Sequence, residues 1–173
     1  MIKIPVYYWD SSIFISFLKG ENRPEAGVTD AIKDNWNLMH EGKIKVFTSI
    51  LTKSEVLQYR HGEEPYKKFL EYFYSDRIER LPTDEATWDL ALELRNFHLT
   101  RVRELGQLSV PDAVHLASAI LINPDEFHTT DGNQNKGLIR LSGNVGGKYN
   151  LTICYPSITY KGSKDHLFNQ GVE

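Results

Sequence analysis

The sequence predicts an α/β fold built on a mostly parallel sheet. Short apolar runs rich in aromatic and β-branched residues alternate with longer segments whose apolar residues recur at helical spacing, the pattern of βαβ units. The length of 173 residues suits a single domain, and 40% hydrophobic with 25% charged residues is ordinary globular composition.

Ile4-Pro5-Val6-Tyr7-Tyr8-Trp9 reads as a buried first strand that stops at Asp10-Ser11-Ser12 and runs into a helix over 13–18. A polar loop over 20–27 follows, then a helix capped by Thr29 and ended by Gly42. Ile44-Lys45-Val46-Phe47-Thr48-Ser49 is the second strand. It leads to a helix opening at Thr52 and carrying Val56, Leu57 and Tyr59. Pro65 restarts the helical pattern, with Phe69, Leu70, Tyr72 and Phe73 on its apolar face. A short third strand over 78–81 precedes a long helix expected from Thr83 to Leu105. Ser109-Val110-Pro111-Asp112 opens the next helix, with proline in the first turn where its missing N–H is harmless. Glu126-Phe127-His128-Thr129-Thr130 is a strand closing at Asp131-Gly132, and a last strand spans 150–155. Residues 1–155 are expected to form the domain, with 156–173 a loosely held polar tail.

Cys154 is the only cysteine, which excludes an internal disulfide and suits a reducing, cytoplasmic setting. Within its apolar strand it reads as a small packed hydrophobe. No apolar run approaches the ~20 residues of a membrane span, and the N-terminus lacks the pattern of a signal peptide. The net charge of −3 does not by itself announce a nucleic-acid binder.

Four acids stand at element junctions. Asp10 closes the first strand, where open α/β sheets bind ligands, and equally suits a helix N-cap. Glu55 lies three residues after Thr52 and Asp112 three after Ser109, both at capping-box spacing. Asp131 before Gly132 fits a plain turn. Each alone is explained by backbone chemistry. Gathered at one edge of a parallel sheet, four carboxylates would repel by several kcal/mol, and hard cations such as Mg²⁺ or Mn²⁺ are the usual remedy.

The segments Tyr8-Trp9-Asp10-Ser11-Ser12-Ile13-Phe14, Ser49-Ile50-Leu51-Thr52-Lys53-Ser54-Glu55-Val56-Leu57, Pro111-Asp112-Ala113-Val114-His115-Leu116-Ala117 and His128-Thr129-Thr130-Asp131 fall in an order that resembles the PIN-domain nucleases, particularly VapC-like toxins. The resemblance implies a three-layer α/β/α sandwich and a Mg²⁺- or Mn²⁺-dependent endoribonuclease that cuts RNA with metal-activated water. It also implies an antitoxin protein partner and a homodimer. By motif, Asp10, Glu55, Asp112 and Asp131 carry over as the metal-binding acids, with Ser11 and Thr130 as hydroxyl groups beside the first and last. After the fourth acid the family often has another acid and then Phe, whereas this chain has Gly132-Asn133-Gln134.

His115, amid Val114, Leu116, Ala117 and Ala119, reads as a packed, hydrogen-bonded histidine rather than a general base. Lys53, Arg60, Lys136 and Arg140 read as solvated charges. The alternative to a nuclease is a PIN-like module that binds RNA or protein with weak or no catalysis. A phosphatase is disfavoured because no phosphate-cradling glycine loop is present.

Overall fold

The structure, a computed structural model, describes residues 3–20, 27–58 and 62–157. Tyr59, Arg60, most of the loop over 20–27 and the tail from residue 158 lie outside the described residues. Strands β1 (Val6–Trp9), β2 (Lys45–Ser49), β3 (Ile78–Leu81), β4 (Glu126–His128) and β7 (Ile153–Cys154) form one sheet in the order β3-β2-β1-β4-β7. Every pairing is parallel. The chain winds outward from β1 through β2 to β3, then returns to place β4 on the other side of β1. That reversal opens a crevice beyond the carboxyl ends of β1 and β4, the usual ligand position in such sheets.

Side chains alternate across the sheet as a two-residue period requires. Tyr7 and Trp9 of β1 enter a core layer with α1 (Ser11–Lys19), α2 (Val28–His40) and α4 (Glu63–Phe73), through Phe14, Trp36 and Phe69 among others. Tyr8 points the other way with Phe127, into a layer built by α5 (Glu85–Leu99) and α7 (Val110–Ile122). The result is the three-layer α/β/α sandwich. Helix α3 (Leu51–Gln58) follows β2, and a small antiparallel hairpin of β5 (Gly132–Asn133) and β6 (Lys136–Gly137) follows β4.

Four helix starts or spans depart from the sequence reading. The expected helix from Thr83 to Leu105 divides into α5 and a short α6 (Val102–Leu105), with Arg101 at φ −130° between them. Thr100 turns its hydroxyl onto the Phe97 carbonyl at 2.9 Å, a local bond that competes with helix continuation. Asp84, rather than Thr83, caps α5 by accepting from the Thr87 N–H at 3.0 Å. Gly27 at φ 83°, not Thr29, precedes α2. Thr52 does not open α3: it is buried in the first turn, hydroxyl to hydroxyl with Thr48 at 2.7 Å.

Candidate active site

Asp10 stands where β1 meets α1 and serves as the helix N-cap. Its Oδ1 accepts the Ser12 backbone N–H at 3.0 Å and the Ser12 hydroxyl at 2.6 Å. The Ser12 hydroxyl oxygen in turn accepts the Thr130 N–H at 2.8 Å and lies 3.3 Å from the Thr129 hydroxyl. Thr129 Oγ1 accepts the Asp131 N–H at 2.9 Å. A ladder bond from the Asp10 N–H to the His128 carbonyl extends the β1–β4 pairing to the crevice. Ser12 and Thr129 thus pin the first and last acid-bearing loops together. Ser11 begins α1 one position earlier, half-buried, and the contacts to Asp10 and Thr130 belong to Ser12. Thr130 is half-buried, with its hydroxyl 3.4 Å from that of Ser16.

Glu55 comes from the middle of α3 and meets a different element altogether. Its Oε2 lies 2.6 Å from Nε2 of His115 on α7, and its side chain is 18% exposed. With Thr52 turned inward there is no capping box here. Asp112 does keep that arrangement in modified form. The Ser109 hydroxyl accepts the Asp112 N–H at 3.1 Å and donates to Asp112 Oδ2 at 2.6 Å, so the cap also orients the carboxylate. Asp131 is exposed, and its Oδ2 accepts the Leu138 N–H at 3.2 Å across the β5–β6 hairpin. Asn133 Oδ1 accepts the Asn135 N–H at 2.9 Å within the same hairpin.

The PIN domain family model matches residues 7–137. This chain belongs to the PIN domain family. Its fold is also that of VapBC2 from Rickettsia felis bound to a DNA fragment from their promoter, at 15% identity and TM-score 0.58, covering 86% of this chain and 97% of that one. A toxin–antitoxin complex from Klebsiella pneumoniae superposes at 17% identity and TM-score 0.57, covering 87% and 98%. VapC20 of Mycobacterium tuberculosis, described as a Sarcin-Ricin loop cleaving toxin, gives 20% identity and TM-score 0.53, covering 73% and 91%. A search of the curated proteins found no match.

The hairpin after Asp131 explains where this PIN domain leaves the family pattern. Gly132 has φ +89°, and a Cβ there would fall 2.0 Å from the Lys136 carbonyl oxygen. No acid fits at that position while the hairpin stands.

Electrostatics tie the acids of the PIN crevice to one another. Burial, the largest influence on Asp10, pushes its carboxyl up to about 6; His115, Ser12 and Thr129 pull it down, and Asp112 pushes it up again. Asp112 is also raised, first by burial and then by Asp131 and Glu55, against the Ser109 hydroxyl and His115. No lysine or arginine of the described residues is among these leading influences. Lys53 instead donates to the Tyr74 hydroxyl at 2.7 Å, and Lys136 is exposed on the hairpin. The half-buried Arg140 brings its guanidinium toward Gly106.

The acids form an open set rather than a closed cage. Among the described residues, the one trio of His, Cys, Asp or Glu ligand atoms lying within 4.8 Å of one another is Glu126, His128 and Cys154, on β4 and β7. Hydrogen bonding argues against a cation there. Trp9 Nε1–H donates to His128 Nδ1 at 3.1 Å, which leaves the ring proton on Nε2, directed at Glu126 Oε2 at 2.7 Å. A nitrogen holding a proton has no lone pair for a metal. Burial and the neighbouring Glu126 carboxylate push the Cys154 thiol up to about 12, so it stands protonated in the metal-free protein.

Proposed function

We propose that this PIN domain is a metal-dependent endoribonuclease that hydrolyses RNA phosphodiester bonds, acting as the toxin of a toxin–antitoxin pair. What supports the reading is that Asp112 acts on Asp10, and Asp131 and Glu55 act on Asp112, at the sheet's switch point, with no lysine or arginine of the described residues among the leading influences. Such a set fits a hydrated hard cation. Mg²⁺ binds through one or two carboxylates and keeps several waters, so an open arrangement suits it better than a closed cage. Asp10, Glu55, Asp112 and Asp131 would hold Mg²⁺ or Mn²⁺.

When bound, the ion supplies activation of water and neutralisation of charge at phosphorus. The chain's own groups do the positioning. Ser12 and Thr129 fix Asp10, Ser109 fixes Asp112, and the hairpin fixes Asp131. Ser11 and Thr130, at the rim, are assigned to orienting water or a phosphate oxygen. The toxin role is supported by the toxin–antitoxin complexes that share the fold, and by a related toxin described as cleaving the Sarcin-Ricin loop. An antitoxin and a second copy of the chain are the expected partners. The cytoplasm is the expected location; no helix of the described residues is long and apolar enough to cross a membrane.

The purified chain, freed of antitoxin, should cut a broad RNA pool with Mn²⁺ or Mg²⁺ and stop with EDTA. Asp10→Asn combined with Asp112→Asn should abolish cleavage. The second reading, a PIN module that binds without cutting, has in its favour the exposed Asp131 with one oxygen engaged by Leu138. RNA retention without cleavage under both metals would establish it instead.

A further inference from the structure

Glu55 sits at the end of a buried chain that begins inside the sheet. The Ser49 backbone N–H donates to the Tyr8 hydroxyl oxygen at 3.1 Å, Tyr8 Oη lies 2.8 Å from His115 Nδ1, and His115 Nε2 lies 2.6 Å from Glu55 Oε2. Tyr8 and Ser49 are 0% exposed and His115 2%. Carboxylate oxygens accept, so the His115 proton that matters sits on Nε2, aimed at Glu55. We propose that His115, held in place against Tyr8, is the positioning residue that fixes the Glu55 carboxylate within the acidic crevice.

Tyr8 engages only the Nδ1 of this buried histidine. Here its second nitrogen reaches an acid on another helix, α3, across the carboxyl edge of the sheet. Without that donor Glu55 has free rotatable bonds and a neighbouring like charge in Asp112, whose carboxyl it already pushes up. A hydrogen bond to a carboxylate is stronger than a neutral one and holds direction. Groups that orient a metal-binding carboxylate typically change affinity by about 10–100-fold when removed.

This inference rests on the nuclease reading of the crevice. The test compares wild type with His115→Ala, His115→Gln and Tyr8→Phe, each first shown to unfold cooperatively. Mn²⁺ affinity is measured by calorimetry, RNA cleavage by single-turnover kinetics, and the His115 tautomer by long-range ¹⁵N–¹H spectra of the metal-free protein. His115→Ala should weaken Mn²⁺ binding by about 10–100-fold. His115→Gln, whose amide N–H replaces the Nε2 donor, should recover most of the loss, and Tyr8→Phe should fall between. The metal-free spectra should show the Nε2–H tautomer. Unchanged Mn²⁺ affinity in His115→Ala, or an Nδ1–H tautomer in wild type, overturns the proposal alone. A wild-type chain that binds no Mn²⁺ and cuts no RNA overturns the nuclease reading and this one with it.

Discussion

The Ser12 hydroxyl donates to Asp10 Oδ1 at 2.6 Å while its oxygen accepts the Thr130 N–H at 2.8 Å, so one side chain fastens two acid-bearing loops. Ser12→Ala removes the donor from a buried carboxylate and orphans a backbone N–H. Together these losses should cost about 1–3 kcal/mol of stability by urea unfolding and lower RNA cleavage. Ser11→Ala, which breaks neither bond, should stay within about 0.5 kcal/mol of wild type. Equal stability losses in the two variants would refute the assignment of these bonds to Ser12.

Asp10 predicts an inverted pH dependence. Burial raises its folded-state carboxyl to about 6 from the ordinary 3.8, so the folded state binds the proton more tightly than the unfolded state does. The resulting penalty is absent below the unfolded value, grows as pH rises through the interval, and is complete above about 6. At 1.36 kcal/mol per unit its full size is about 3 kcal/mol. Asp10→Asn should therefore be more stable than wild type at pH 7.5, with the gain gone by about pH 4, measured by urea unfolding without metal. Saturating Mn²⁺ should narrow the difference by stabilising wild type alone.

Residues near these acids show what the sequence could and could not convey. The two-residue alternation in Tyr7, Tyr8 and Trp9 and the helix-start chemistry of Ser109 and Asp112 are local, so the parallel α/β fold and the Asp112 cap were both legible. Ser12 was within reach: an N-cap acid accepts from the second helical residue, and that rule selects Ser12 over Ser11. His115 was not. Its apolar neighbours truthfully reported burial, but its partners lie 107 and 60 positions away, on β1 and α3. Arg101, between α5 and α6, carries no glycine or proline to mark the break, which depends on where Thr100 turns its hydroxyl.

Gly132 supports Asp131 through backbone shape. Any side chain there meets the Lys136 carbonyl at 2.0 Å and must also hold φ +89°. Gly132→Ala should open the β5–β6 hairpin, release the Leu138 N–H from Asp131 and reduce cleavage. Gly20→Ala is the control: φ is +59°, but nothing among the described residues lies within 4 Å of the added carbon. It should cost about 1 kcal/mol and leave cleavage intact. Thermal unfolding and RNA cleavage read both variants.

Cys154 tests whether the trio on β4 and β7 is a second metal site. A thiol pushed up to about 12 is overwhelmingly protonated at pH 8, so alkylation by iodoacetamide in the folded protein should be far slower than in urea. With the His128 proton on Nε2, held there by Trp9, neither Zn²⁺ nor Mn²⁺ should gain affinity from this trio. Cys154→Ala should therefore leave the calorimetric titration of either metal unchanged, while Asp10→Asn weakens the Mn²⁺ titration. Loss of Zn²⁺ binding in Cys154→Ala would show that the Trp9 bond yields and that the trio takes a cation after all.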